Sequence, residues 1–216
     1  PTRLTVDGVE TEIERTALKL PGFVMGSKEH ESARRGIATH SFLQFFELQG
    51  FGTGKAAAEL DRLVSAEFIS KADAERVRIN EIELFAKSKL LEDMKNAKKL
   101  YREFRFNVML PASLFTGDEE KKTAFAEREI LLQGVIDCLI EDGDGNLHLV
   151  DYKTDRLGSA ELADRSLAKK ALSEKHQLQL TSYAQAVEKI FSKRPKTVSV
   201  YSLPLGETVE LDINYS

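Results

Sequence analysis

The sequence contains almost no cysteine and no tryptophan. Cys138 is the single cysteine among 216 residues. One thiol excludes a disulfide within the chain, and it excludes any zinc or iron–sulfur site made of four cysteines of this chain. Because Cys138 stands in the apolar run GVIDCLI, we expect a plain buried thiol on a strand.

Long apolar runs and an excess of positive charge are also missing. No segment is apolar for long enough to span a bilayer, and there is no signal peptide or lipidation motif, so we expect a cytoplasmic protein without a membrane partner. The formal net charge of −4 shows no global basic surface for a nucleic acid, although a local basic groove can still bind a polyanion. The chain begins PTRLTVDG without methionine, and we expect it to be a fragment of a longer protein.

The composition that is present predicts a globular fold. The chain is 42% hydrophobic and 31% charged, and its 216 residues are enough for one large domain with a substantial core. We expect residues 1–100 to form a helical N-terminal part that carries a histidine motif. Residues 101–216 are expected to form the core sheet and its helix, and the two parts together one structural domain.

Apolar residues at helical spacing dominate the first part of the chain. Ile37, Phe42 and Phe46 belong to the first helix, and Ser70 is predicted to cap the third. Residues 20–30 are predicted to form a loop. The four helices are predicted over residues 32–48, 54–66, 71–86 and 87–100.

The pattern changes near residue 101, where apolar and polar residues alternate as in half-buried strands. Three such strands are followed by a long amphipathic helix and two further strands. This order predicts a mixed sheet flanked by helices, in the α/β (α+β) class. The strands are predicted over residues 102–110, 128–142, 146–154, 196–204 and 207–213, and the helix over residues 169–191.

Two glycine-rich stretches resemble known ligand loops but lack residues that those loops require. GFGTGKAA follows Gln49, where a phosphate-binding loop needs glycine, and has Ala56 where it needs a hydroxyl. We therefore predict a turn between helices and no ATP site. DGDGN spaces its side-chain oxygens like a calcium loop, but Leu147 replaces the glycine and Lys153 the glutamate. We predict a hairpin turn there.

The stretch VDYKTDR places an acid and a lysine in an otherwise apolar strand. Side chains alternate along a strand, so Asp151 and Lys153 share one face while Val150 and Tyr152 point to the other. Asp137, in GVIDCLI, lies on the strand that the hairpin pairs with this one. Two buried carboxylates repel each other unless a cation lies between them, and oxygen ligands suit Mg²⁺ or Mn²⁺. The alternative is a salt-bridged hairpin with solvated acids.

Three further features favour a site over a salt bridge. Gly134 stands three residues before Asp137, where a missing side chain allows a backbone or ligand to approach. Gln179 and Tyr183 are four residues apart and so lie on one face of the long helix. His40 lies in RRGIATHSF, on a helix whose inward side is otherwise apolar.

Together, RRGIATH, GVIDCLI, LVDYKT and QLTSY resemble the signature of the RecB-like branch of the PD-(D/E)xK nucleases. The resemblance runs in order from about residue 34 to residue 203. Within that branch the chain is similar to the C-terminal nuclease domain of AddA-type subunits of bacterial AddAB helicase–nucleases, which are related to RecBCD. None of the helicase motifs is present, so the resemblance implies the nuclease module alone.

The resemblance implies a restriction-endonuclease-like core and a Mg²⁺-dependent deoxyribonuclease of exonuclease type, with Mn²⁺ as a substitute. It implies that His40, Asp137 and Asp151 are metal ligands, and that the backbone carbonyl of Tyr152 completes the protein's share of the shell. Asp137 and Asp151 would therefore serve catalysis by holding the ion. The products would carry 5′-phosphate and 3′-hydroxyl ends.

The remaining motif residues take supporting roles in the resemblance. Lys153 would orient or deprotonate the attacking water and would neutralise developing charge. Gln179 and Tyr183 would support the site or hold the DNA backbone. The implied partners are the helicase portion of the same polypeptide and an AddB-type subunit.

Single-stranded DNA is the expected substrate, bound mostly through its phosphates. Candidate contacts are Arg34, Arg35 and Arg156, together with the lysines at 169–170. Two other hypotheses are a nuclease-fold domain that binds or steers DNA without cutting it, and a purely structural module. The presence of His40, both acids and the lysine speaks against the silent binding domain, because degenerate relatives should lose one of them.

Overall fold

The computed structural model describes residues 3–6, 9–12, 27–116, 118–125, 127–158, 161 and 163–213. Strands β1 (Arg3–Val6) and β2 (Val9–Glu12) form an antiparallel pair near the N-terminus. The predicted loop over residues 20–30 lies partly outside the described residues, and its last residues belong instead to the first helix.

Five helices follow in the described part of the chain from residue 27 to residue 95. Ser70 caps α3 by accepting a hydrogen bond from the Asp73 amide, as predicted. The predicted helix over residues 71–86 divides in two, because Arg78 takes an extended backbone conformation. The predicted helix over residues 87–100 is also too long, because the Lys98 amide donates to the Glu141 carbonyl and starts sheet pairing. The helices are α1 (Ser27–Phe45), α2 (Ala56–Ser65), α3 (Lys71–Ala74), α4 (Ile79–Ala86) and α5 (Lys89–Lys95).

A five-stranded mixed sheet forms the centre of the molecule, in the order β3-β4-β5-β6-β7. Strands β5 and β6 are parallel and the other neighbours are antiparallel. A parallel pair needs a crossover connection, and α7 (Arg165–Phe191) supplies it. The predicted class, a mixed sheet flanked by helices, is confirmed. The strands are β3 (Lys99–Pro111), β4 (Glu129–Glu141), β5 (Leu147–Lys153), β6 (Thr197–Ser202) and β7 (Glu207–Glu210), with a 3-10 turn (Ala112–Phe115) and α6 (Glu119–Ala124) between β3 and β4.

Two hydrophobic cores cover the two faces of the sheet. The first joins α1, α2, α4 and α5 to Val150 and Tyr152 of β5. The second packs α7 against Leu149 and its neighbours on the other face. The predicted alternation along β5 is therefore correct. The first core combines side chains from residues 1–100 and 101–216, and a boundary between those two parts stays a prediction.

The helix α1 buries a narrower stripe than its sequence indicates. Ala38, Phe42 and Phe46 are almost wholly buried, whereas Ile37 and Phe45 are exposed. Apolar spacing alone cannot separate these two groups, because five apolar positions cover more than one helix face. His40 lies beside this buried stripe, and its side chain remains partly accessible to solvent.

Both glycine-rich stretches are turns, as predicted. Gly54 lies between α1 and α2 with φ +78°, and Gly145 lies between β4 and β5 with φ +78°. Asp142 accepts hydrogen bonds from the amides of Asp144 and Asn146, and these bonds close the hairpin. Both turns need a left-handed backbone conformation, which glycine adopts readily.

The lone cysteine is buried, as predicted. Burial raises the pKa of the Cys138 thiol to about 12, so it carries no thiolate at neutral pH. Among the described residues, no helix combines the length and apolarity needed to cross a bilayer.

Gly134 on β4 is a point of close packing between the sheet and α7. A β-carbon at this position would lie 2.6 Å from Phe106 Cζ and 3.1 Å from Tyr183 Cε1. The two aromatic rings contact each other edge to face. The aromatic side chains, rather than a ligand, therefore fill the space that the missing side chain leaves.

Replacing Gly134 by alanine is expected to lower the free energy of unfolding by about 1–3 kcal/mol, because ring and backbone must move apart. Thermal unfolding of the variant measures this loss. Gly52→Ala is the control, because a β-carbon there meets nothing within 4 Å. Equal melting temperatures for Gly134→Ala and the wild type would contradict the packing described here.

Candidate functional site

Asp137 and Asp151 lie side by side on the antiparallel strands β4 and β5. The neighbouring pair Cys138–Val150 defines the register, and the next position along it joins the two acids. The Tyr152 amide donates a hydrogen bond to Asp137 Oδ2 at 2.8 Å. Asp137 is 8% exposed and Asp151 3% exposed, so two carboxylates are buried at one place. The hairpin therefore brings the predicted acids together.

His40 joins the two acids from α1, far away in sequence. Its Nδ1 lies 3.2 Å from Asp137 Oδ1, and its Nε2 lies 3.1 Å from the Tyr152 carbonyl oxygen. The ring also contacts the Tyr152 ring edge to face. The helix positions His40 because Phe42 and Ala38 on the same helix are locked in the first core. Direct contacts thus link His40, Asp137 and the Tyr152 backbone, which are three of the four predicted ligand groups. The fourth, Asp151, lies beside Asp137 on the neighbouring strand.

Glu103 adds a carboxylate that the sequence analysis missed. Its Oε1 lies 3.7 Å from His40 Nδ1. Glu103, His40 and Asp137 each offer one ligand atom, and these atoms lie within 4.8 Å of one another. Glu103 stands on β3 between the pairs Arg102–Cys138 and Phe104–Ile136, which places it opposite Asp137.

The backbone at Glu103 is unusual for a strand residue. Its φ is +52°, a left-handed conformation that costs energy for a residue with a side chain. Strand alternation could not predict this, because a left-handed residue breaks the alternation locally. An acid in the alternating stretch REFRF, just before the predicted hairpin, was the available signal.

Lys153 and Gln179 complete the site on the face that Asp151 shares. Lys153 Nζ lies 2.6 Å from Asp151 Oδ2 and donates a hydrogen bond to Gln179 Oε1 at 3.1 Å. Gln179 Nε2 lies 3.5 Å from Asp151 Oδ1. The short lysine contact is an ion pair between the ammonium group and the buried Asp151 carboxylate.

The electrostatics of the site reflect two acids buried together. Burial and the nearby Asp137 carboxylate raise the pKa of Asp151, against the opposing effect of Lys153. Burial opposes the charged form of His40, but its bonds to Asp137 and Glu103 outweigh burial and raise the pKa of His40 to about 10. Burial also acts against charge on Lys153, yet Asp151 raises its pKa overall. The acids therefore hold two cationic side chains beside them.

The other predicted residues lie around this centre. Tyr183 packs on Phe106 and Gly134, one helical turn beyond Gln179. Arg34 is exposed on α1. Arg35 is 6% exposed and donates through Nη2 to the Thr154 carbonyl at 2.6 Å, directly after Lys153.

A second ionic cluster, also missed from the sequence, fixes the chain after β5. Asp155 Oδ2 lies 3.1 Å from His176 Nε2, and Asp155 also pairs with Lys175. Burial opposes ionisation, but these partners lower the pKa of Asp155 below its usual range. The cluster ties the segment after Lys153 to α7, the helix that carries Gln179.

The residues fit a divalent cation of oxygen-preferring type. The carboxylates of Glu103 and Asp137 and the His40 imidazole place ligand atoms within 4.8 Å of one another, and the Tyr152 carbonyl oxygen contacts the same imidazole. Buried acids in this number are stable only when positive charge lies among them. In the described structure, His40 and Lys153 supply that charge.

This fold and site belong to a known class. The family model of the PD-(D/E)XK nuclease superfamily matches residues 15–210, so the chain is a member of that superfamily. The acids and the lysine of GVIDCLI and LVDYKT lie on the paired strands β4 and β5, which carry the candidate site.

Several curated proteins resemble the chain, and each is the AddA-type subunit of an ATP-dependent helicase/nuclease. The protein of Ruminiclostridium cellulolyticum is 30% identical over 205 residues, which cover 95% of this chain and 16% of that protein. The protein of Bacillus velezensis is 32% identical over 88% of this chain and 15% of its own length. The protein of Heliobacterium modesticaldum is 33% identical over 88% of this chain and 13% of its own length. The chain thus spans 13–16% of the length of these relatives, and the expected likeness to AddA-type subunits is confirmed.

Proposed function

We propose that the chain is a metal-dependent deoxyribonuclease module that hydrolyses phosphodiester bonds. One observation carries the proposal: contacts link His40, Asp137 and the Tyr152 backbone, and the ion pair of Asp151 with Lys153 lies next to them on β5. Membership of the nuclease superfamily supports it. A purely structural module has no need for two buried acids side by side on inner strands of the sheet.

The residues that would hold Mg²⁺, or Mn²⁺ in its place, are His40, Asp137, Asp151 and the Tyr152 carbonyl, with Glu103 as an additional acid. When bound, such an ion supplies charge stabilisation at the phosphoryl oxygen and a water of lowered pKa. The carboxylates would fix the position of the ion and balance its positive charge.

Lys153 would act on the attacking water. Its ammonium group lies on the face of Asp151 and is held there by Gln179. A positive group at this place orients a water and stabilises negative charge that develops on the phosphate. Gln179 positions Lys153. Tyr183, one helical turn further along α7, packs this helix against Phe106 on the sheet.

The substrate and partners follow from the relatives' names and the resemblance. We propose single-stranded DNA as substrate, cut in exonuclease fashion to 5′-phosphate and 3′-hydroxyl ends. The proposed partners are the helicase portion of the same polypeptide and an AddB-type subunit. Arg34, Arg35 and Arg156 are proposed DNA contacts, and the cytoplasm is the proposed location.

The test incubates the purified chain with end-labelled single-stranded DNA in Mg²⁺, in Mn²⁺ and in EDTA. We expect metal-dependent degradation by the wild type and none by Asp151→Ala of similar melting temperature. DNA that binds the wild type but stays intact would favour a silent binding domain. Equal degradation by wild type and Asp151→Ala would sink the proposed site.

A further inference from the structure

A basic pocket lies where α1, the segment between α3 and α4, and the segment after β5 meet. Its volume is about 220 Å³. Four guanidinium groups and two carboxylates line it: Glu31, Arg35, Glu75, Arg76, Arg78 and Arg156. Four arginines facing one cavity repel one another, so such a grouping indicates an anionic ligand.

Arg35 is a buried residue that lines this pocket. It is 6% exposed, and its Nε atom is buried with no hydrogen-bond partner in the described residues. Its Nη2 atom donates to the Thr154 carbonyl, which fixes the guanidinium plane. A buried donor without a partner is costly, and an acceptor in the pocket would satisfy it.

The other arginines divide into paired and unpaired groups. Arg76 Nε lies 3.2 Å from Glu31 Oε1, and Arg78 Nη1 lies 2.9 Å from Glu81 Oε1. Arg156 is exposed, and within the described part of the chain it has no hydrogen bond or ion pair. Arg35 and Arg156 therefore form no ion pair in that part of the chain. Burial and the charges of Arg78 and Arg156 lower the pKa of Arg35, against the opposing effect of the Glu81 and Asp155 carboxylates.

The pocket adjoins the proposed active site along two elements. Thr154, which Arg35 holds, directly follows Lys153 on β5. Arg35 and His40 are five residues apart on α1, which is about 7.5 Å along a helix axis. A strand of DNA with one phosphate at the proposed metal centre thus reaches the pocket with a nearby phosphate.

We propose that Arg35 and Arg156 form a phosphate-binding subsite that anchors the DNA strand beside the cutting position. The inference rests on the proposed function. Guanidinium groups bind phosphate oxygens bidentately, and a buried Arg35 with a fixed plane is suited to this geometry. The phosphate is either an internal phosphodiester or the terminal 5′-phosphate of the strand.

The test measures DNA binding without cleavage, by fluorescence anisotropy in EDTA over a range of salt concentrations. Two labelled oligonucleotides of one sequence are compared, one with a 5′-phosphate and one with a 5′-hydroxyl. We expect Arg156→Ala to bind about 5- to 10-fold more weakly at low salt, and its salt slope to fall by about 0.7. Weakening confined to the phosphorylated strand identifies the terminal phosphate, and equal weakening identifies an internal one.

Two further variants are expected to change the DNA affinity in opposite directions. Glu75→Gln removes a negative charge from the rim and is expected to tighten binding by about 3-fold. Arg35→Gln is expected to weaken binding at least as much as Arg156→Ala, with its melting temperature measured beside it. Lys87→Ala is the control, because Lys87 is an exposed cation outside the pocket.

The outcomes separate this inference from the proposed function. If the wild type binds and cuts DNA while Arg156→Ala, Arg35→Gln and Glu75→Gln match Lys87→Ala, the subsite is overturned and the nuclease stands. If the wild type neither binds nor cuts DNA, the proposed function fails and the subsite fails with it. Opposite shifts in Arg156→Ala and Glu75→Gln support the subsite even where cleavage is absent.

Discussion

Replacing Lys153 by methionine is expected to lower the rate of DNA hydrolysis by about 10²- to 10³-fold or more, the loss typical of removing one transition-state donor. Methionine keeps most of the apolar stem and removes the charge. Lys153 Nζ lies 2.6 Å from Asp151 Oδ2, and its hydrogen bond to Gln179 Oε1 orients the ammonium group. Within the described part of the chain no other cationic side chain forms an ion pair with Asp151, so the charge of Lys153 has no substitute there.

The same substitution has a structural consequence that must be measured beside it. Asp151 is buried, and Lys153 is its ion-pair partner. Breaking a buried pair on one side costs about 3–5 kcal/mol when nothing else compensates the remaining charge. We therefore expect Lys153→Met to melt lower than the wild type without metal. A divalent ion compensates Asp151, so added Mn²⁺ should restore much of the difference.

Single-turnover cleavage of labelled DNA in saturating Mn²⁺ measures the effect on rate. Lys175→Met is the matched control, because Lys175 is a solvent-exposed lysine that pairs with Asp155 rather than with the two acids. If Lys153→Met, with metal bound, cleaves DNA about as fast as the control does, Lys153 takes no part in the chemistry. A loss in rate that disappears when stability is restored would assign it a structural role alone.

The sequence alone predicted the part of the site that a regular strand encodes. Alternation along β5 separates Asp151 and Lys153 from Val150 and Tyr152, and the structure has that division. The hairpin DGDGN sets the register, and the register brings Asp137 beside Asp151. These features depend on local rules of pleating and turn geometry, which short stretches of sequence obey.

The residues that local rules cannot place are those set by packing or by irregular backbone. His40 reaches Tyr152 from α1 only because the first core fixes the helix against the sheet. The resemblance predicted His40, whereas periodicity favoured an ordinary core position. Glu103 was missed because a left-handed residue interrupts its strand. The break at Arg78 was not predicted because helix propensity continues across it.

The second large effect concerns stability in the presence of metal. Millimolar Mn²⁺ or Mg²⁺ is expected to raise the melting temperature of the wild type by binding the native state alone. At a metal concentration about 100 times the dissociation constant, the gain is about 2.7 kcal/mol. For a chain of this size that gain corresponds to a rise of about 5–10 °C.

The rise in melting temperature should depend on the acids that lie side by side on β4 and β5. Asp137→Asn and Asp151→Asn are expected to lose it, because each removes a charged oxygen ligand from the buried cluster. Glu103→Gln decides whether the third acid also holds the ion: a diminished rise includes it, and an unchanged rise assigns it to orienting His40. Differential scanning calorimetry in EDTA and in metal gives each value.

Asp144→Asn is the control that makes the measurement specific. Asp144 stands in the hairpin turn DGDGN, which spaces acids like a calcium loop but is closed by hydrogen bonds to Asp142. If metal acts at the proposed centre, Asp144→Asn keeps the full rise. If Asp144→Asn loses the rise while Asp137→Asn and Asp151→Asn keep it, the ion binds at the turn, and the buried acids are held by His40 and Lys153 alone. The two sets of acids lie at opposite ends of the same β4–β5 hairpin, so one series of variants distinguishes a metal centre from a salt-bridged sheet edge.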